Sequence, residues 1–141
     1  MAYSSTLHLV DKLKEVEKLP QFLDTLCKET GCDQSLSFNM NLALEEALVN
    51  VINYAYPHDG TMHHFTLDVE EITKPQHSLL FTLTDSGKPF DPTAAGETDI
   101  TLSAEERQIG GLGIFLVRQL MDNVSYKYKD KKNVLLMQKN I

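Results

Sequence analysis

The fold class predicted by the chain is α/β in the α+β sense: a two-layer sandwich, with a mostly antiparallel mixed sheet and helices on one face. Three features predict it. Phe65, Leu67 and Val69 alternate with Thr66, Asp68 and Glu70, and Leu79, Phe81 and Leu83 repeat the period of two, so two half-buried strands meet across Thr73-Lys74-Pro75-Gln76. A second alternating pair, 124–129 and 133–139, surrounds Asp130-Lys131-Lys132 at the C-terminus. Elsewhere the apolar spacing is helical, and such helices must bury their stripes against the sheet.

Each element follows in chain order. Residues 5–10 read as a first strand, and 14–17 as a turn of helix. Pro20 suits the first position of a helix running through Phe22, Leu23 and Leu26 to a C-terminal Gly31. Ser35 or Ser37 is the expected cap of a second helix, which should stop before Pro57 and hand over to a His58-Asp59-Gly60 turn. After the two central strands, residues 92–109 are rich in Ala, Gly, Thr, Ser and Glu and poor in apolar side chains. That stretch exceeds the ~12–15 residues usual for a compact loop, a length associated with lids and binding loops. A helix over 112–122 and the final hairpin complete one domain, 1–141.

Composition narrows the function. With 20 acidic against 13 basic residues among 141, the net charge of -7 lacks the clustered Lys and Arg of a nucleic-acid surface. The start Met1-Ala2-Tyr3-Ser4-Ser5 has no basic and apolar leader, and no apolar run approaches the ~20 residues of a membrane helix, so a cytoplasmic protein is expected. Cys27 and Cys32 are too few for a disulfide scaffold and have no zinc-ligand companions, which reads as reduced thiols. His63-His64 reads as a solvated strand edge, and the lysines of 127–132 as a solvated hairpin.

Three segments carry chemistry. On the second helix, at roughly 100° per residue, Glu46, Asn50 and Asn53 fall within a ~60° arc opposite Leu44, Leu48, Val51 and Ala55. A carboxylate and two carboxamides so placed can hold a hydrated divalent cation and a water or hydroxyl; they equally describe an ordinary polar helix face. Asp85 ends its strand on the side of Leu79, Phe81 and Leu83, so its carboxylate should turn inward and need a partner, or cap the Ser86-Gly87 turn. Gly110-Gly111-Leu112-Gly113 opens an apolar helix, where backbone N–H groups and the helix dipole can cradle phosphate on an acidic protein, or where glycines simply allow close packing.

In that order and spacing these segments resemble the three boxes of the GHKL ATPases, and more closely the bacterial anti-sigma-factor serine/threonine kinases. Glu46-x-x-x-Asn50 is similar to the N box, Asp85-x-Gly87 with Pro89-Phe90-Asp91-Pro92 to the first glycine box, and Gly110-Gly111-Leu112-Gly113 to the second. The resemblance implies the Bergerat ATP-binding fold, with ATP and Mg²⁺ as cofactors. It implies Asn50 as the Mg²⁺ ligand, Glu46 as the general base accepting a proton from a serine hydroxyl, and Asp85 as acceptor for the adenine amine. Gly87 would let the base approach the backbone, and Asn53, Phe90 and Gly110 to Gly113 complete the ATP-binding set. Arg107 is a candidate for neutralising the γ-phosphate, or a solvated lid residue paired with Glu105 or Glu106.

The chain departs from the pattern where Pro89 replaces a second glycine, where Tyr54 stands in place of a common His, and where Leu135 occupies the position of a Thr used for an adenine contact. The expected function is a serine/threonine protein kinase acting on an anti-sigma-factor antagonist, with a sigma factor as a further partner and a homodimer as its state. The alternative is a regulatory module that binds nucleotide or protein partners without transferring phosphate.

Overall fold

The computed structural model describes residues 2–92 and 111–141, the side chains of 111–113 excepted. Five strands form one sheet: β1 (Ser4–Val10), β2 (His64–Ile72), β3 (Ser78–Asp85), β4 (Asn123–Lys129) and β5 (Lys132–Asn140), in the order β1-β2-β3-β5-β4. Every neighbouring pair is antiparallel, so among the described residues the sheet lacks the parallel pairing a mixed one would contain. The expected hairpins supply two of these pairs. Asp130 and Lys131 close the β4–β5 hairpin with φ of 54° and 62°, the two-residue left-handed turn whose twist suits antiparallel strands.

Three helices follow: α1 (Leu19–Thr30), α2 (Gln34–Tyr54) and α3 (Gly111–Leu120), preceded by a 3-10 turn over Leu13–Lys18. Pro20 lies in the first turn of α1, where its missing N–H loses no bond. Gly31 ends that helix at φ 84°, donating its N–H to the Cys27 carbonyl at 2.9 Å. The cap of α2 is Asp33, whose Oδ1 accepts the Leu36 N–H at 2.8 Å. Ser35 and Ser37, the expected caps, lie inside the helix instead, because Asp33 is an equally good cap and stands directly after the chain reversal at Gly31.

The core lies between the layers. Leu67, Val69, Leu79, Phe81 and Met137 of the sheet meet Leu23 and Leu26 of α1, Leu44 and Leu48 of α2 and Val117 of α3, all essentially without solvent contact. The alternation legible in β2 and β3 is the signature of this one-sided burial. At one sheet edge, Glu15 in the 3-10 turn accepts the Val10 N–H at 3.0 Å and the Lys18 ammonium at 2.9 Å, while Lys18 also reaches the His8 carbonyl at 3.4 Å.

His63 departs from the solvated-edge expectation. Its ring Nδ1 lies 2.9 Å from Asp11 Oδ2, its backbone N–H donates to Asp11 Oδ1 at 2.8 Å, and it stacks on Tyr56 with ring centroids 4.5 Å apart. The carboxylate arrives from the end of β1, far away in sequence. Cys27 and Cys32 are free thiols, half-buried. Burial, with the Cys32 thiol hydrogen-bonded beside it, pushes the Cys27 thiol up to about 12, which keeps it protonated at neutral pH.

Candidate functional site

A cavity opens where α2, α3 and the ends of β3 and β5 meet, with about 530 Å³ of empty space including its solvent-facing part. Its walls are apolar: Ala47 and Val51 from α2, Leu83 from β3, Ile114 and Val117 from α3, and Leu135 from β5. Polar groups enter at a few points, chiefly Asn50, Asp85, Asn133 and the Tyr126 hydroxyl, with Lys88 and Phe90 on the turn after β3. An apolar slot with few convergent polar groups is the usual form of a small-molecule site.

Asp85 is 7% exposed. Its Oδ1 accepts two bonds, from the Gly87 N–H at 2.9 Å and from Asn133 Nδ2 at 2.9 Å. Both sequence expectations hold together here, since the carboxylate turns inward and also caps its own turn. Burial pushes its carboxyl above the ordinary range, and the Asn133 and Gly87 donors pull partly back. Tyr126 is also pushed up, first by burial and further by the charges of Asp91 and Asp85, against a backbone hydrogen bond at Phe90.

Asn133 is the residue that sequence reasoning missed. It is 6% exposed and sits opposite Asp85 in the β3–β5 register. Its Nδ2 donates to Asp85 and, at 2.8 Å, to the Lys88 carbonyl, while its Oδ1 accepts the Phe90 N–H at 3.1 Å and the Tyr126 hydroxyl. The only available signal was an Asn opening the last strand, and nothing in the sequence reveals which residue it faces.

Gly87 is required for a reason other than ligand approach. A Cβ there would stand 2.2 Å from the Ala55 carbonyl oxygen at the end of α2. That carbonyl accepts the Lys88 N–H at 3.1 Å, so the C-terminus of α2 is pinned to the turn after β3. Tyr56 reinforces the junction, its hydroxyl accepting the Ser86 N–H at 2.9 Å and donating to the His64 carbonyl at 3.2 Å.

The structure thus gathers Asn50, Asp85 and Phe90 around one cavity, and the first turn of α3, made by Gly111, Leu112 and Gly113, runs directly into Ile114 on its wall. Glu46 and Asn53 are half-buried and do not line it. The side of α2 that does is Ala47, Asn50, Val51 and Tyr54, whose centre lies roughly a quarter turn from Glu46 at ~100° per residue. Glu46 is therefore on the flank beside Asn50, and the Asn53 carbonyl lies 3.0 Å from His58 Nε2. Gly87 faces the neighbouring groove with Tyr56 and His63. Gly110, Arg107 and the proposed lid over 92–109 lie outside the described residues, apart from Pro92, which lines the cavity.

An antiparallel sheet covered on one face by helices, with a cavity closed by α2, α3 and the end of β3, is the architecture of the GHKL class of ATPases. Residues 9–139 match the histidine kinase-like ATPase domain, and the chain belongs to that family.

The chain is 30% identical over 103 residues to the serine/threonine-protein kinase BtrW of Bordetella bronchiseptica, covering 72% of this chain and 69% of that one. It is 35% identical over 108 residues to the serine-protein kinase RsbW of Halalkalibacterium halodurans, covering 72% of this chain but only 60% of the relative. RsbW of Listeria innocua is 27% identical over 136 residues, with 93% and 83% covered. Among solved structures, a chain from the crystal structure of the SiaB-SiaC complex of Pseudomonas aeruginosa superposes with a TM-score of 0.52 at 13% identity, over 100% of this chain and 89% of that one, a likeness of fold.

Proposed function

We propose that the chain binds Mg-ATP in this cavity and transfers its γ-phosphate to a serine or threonine of a regulatory partner protein, of the anti-sigma-antagonist kind that the sequence resemblance implies. The observation that carries the reading is the buried Asp85 carboxylate in an apolar cavity that α3 also lines, with Asn50 in the same lining. That acceptor in an apolar setting fits an amino-substituted purine. The apolar walls suit the ring, and a carboxylate held out of water pairs best with a donor that the ligand supplies.

When bound, Mg²⁺ would neutralise phosphate charge, and a single side-chain oxygen from the protein suffices because Mg²⁺ keeps waters and bridges phosphates. Asn50 is that side chain. Among the described residues no cluster of three His, Cys, Asp or Glu side chains competes for the role. The N-terminal turn of α3 presents backbone N–H groups to the phosphates, and Glu46, one turn from Asn50 and outside the base slot, takes the proton of the acceptor hydroxyl. The names of the relatives as serine and serine/threonine kinases support the kinase reading, and the residue roles come from the resemblance of the motifs. The second reading, a module that binds nucleotide without transferring phosphate, draws on the place of Glu46 outside the cavity lining.

Glu46→Ala separates the two. In the kinase reading it binds ATP within about threefold of the parent but loses transfer of radiolabel to the partner by ~10²–10⁴-fold. Equal transfer by parent and variant removes Glu46 from the chemistry, and no transfer by either supports the binding module.

A further inference from the structure

Asn133 has all of its hydrogen-bonding capacity engaged. Its two N–H donors go to Asp85 Oδ1 at 2.9 Å and the Lys88 carbonyl at 2.8 Å, with the Gly87 carbonyl at 3.4 Å as a longer neighbour. Its oxygen takes the Phe90 N–H at 3.1 Å and the Tyr126 hydroxyl. The amide orientation is therefore fixed by chemistry. Exchanging its O and N would set an oxygen against a carboxylate and a carbonyl, and an N–H against the Phe90 N–H.

One consequence falls on Asp85. Both donors that reach it from the described residues meet the same atom, Oδ1. Oδ2 is left as the oxygen able to accept from a ligand in the cavity that Asp85 lines. We propose that Asn133 is the positioning residue that sets base specificity: it clamps Asp85 by Oδ1 and directs Oδ2 at an exocyclic amine, so that a 6-amino purine is accepted and a 6-oxo purine is refused.

This rests on the adenine-nucleotide reading above. A 6-oxo group would bring a second oxygen against a carboxylate oxygen that has no freedom to rotate away. Without the Asn133 amide, Oδ1 keeps only the Gly87 N–H, the carboxyl can swing about that single bond, the hold on the 6-amino group weakens, and discrimination falls. Tyr126 acts one step further out, holding the Asn133 oxygen.

The test compares binding of ATP and of inosine triphosphate, its 6-oxo counterpart, by isothermal titration of the full chain with Mg²⁺. The parent should prefer ATP by about 100-fold, the scale expected when a buried polar group loses its partner. Asn133→Leu should lower that ratio below about tenfold while the affinity for inosine triphosphate stays within about threefold. A merely structural role weakens both ligands together and leaves the ratio unchanged, which would overturn the assignment. Tyr126→Phe, which removes only one hydroxyl, decides the matter if Asn133→Leu loses its cooperative melt; it should lower the ratio about threefold, and an unchanged ratio again counts against Asn133. Failure of the parent to bind ATP defeats the nucleotide reading itself, and this proposal with it; ATP binding with an unchanged ratio defeats only the role of Asn133.

Discussion

At the scale of single residues, Asp85 sets function against stability. Burial is the leading cause of its raised carboxyl, so its ionised form is a burden on the ligand-free fold. Its contribution to stability is fully present below the unfolded carboxylate value of about 3.9 and is lost as pH rises through the raised folded value. Asp85→Asn keeps an oxygen for Gly87 and Asn133 while removing the charge. At pH 7 its ligand-free form should melt about 2–4 °C higher by calorimetry, and its ATP affinity should fall about 10- to 100-fold. A variant that loses stability and affinity together would contradict this. The inward turn of Asp85 was legible in the sequence because the period of two fixes which side a strand residue faces. Its partner was not, because Asn133 meets it through a strand register that local sequence does not specify.

At the scale of elements, α2 and the turn after β3 behave as one unit. Gly87→Ala forces a Cβ against the Ala55 carbonyl and should cost about 1–3 kcal/mol in chemical denaturation, as overpacking does. Asp33→Ala, at the other end of the same helix, should cost about 1 kcal/mol through the lost Leu36 bond, with nucleotide binding unaffected. Strand positions, both hairpins and the end of α1 were readable because Gly31, Pro20 and the alternating runs act locally. The orientation of α2 was only partly readable. It buries residues as widely spread as Met40, Ala43, Leu44, Ala47 and Val51, so a polar stripe at Glu46, Asn50 and Asn53 marks the flank of the buried face without saying which flank meets the cavity. Asn50 lies on the border and belongs to both.

At the scale of the whole molecule, ligand and fold are linked. If ATP binds only the folded chain, a hundredfold excess over its Kd should stabilise it by about 2.7 kcal/mol, read as a rise of several degrees in a thermal-shift measurement with Mg²⁺. The same titration with Asp85→Asn at equal concentration should show half that rise or less, about 0.4–1.4 kcal/mol for a Kd 10- to 100-fold weaker. A parent whose melt is indifferent to ATP would leave the cavity without its proposed occupant.

The sheet also has two outer margins, β1 and β4, and an unpaired strand margin invites further strands to add. Lys127 and Lys129 deter this on β4 through charge. On β1 the deterrent is the Glu15–Lys18 pair, which already occupies the Val10 N–H and the His8 carbonyl that an incoming strand would need. The Lys18 hydrogen bond, against burial and with help from Val10, holds the Glu15 carboxyl below its ordinary value of about 4.3, so this guard stands above that pH and fails as acid titrates the lowered folded value. Glu15→Gln at neutral pH should mimic the acid state and raise light scattering over hours at high protein concentration. The 3-10 turn, outside the cavity lining and without a buried residue of its own, would then be what keeps the chain from growing into ribbons.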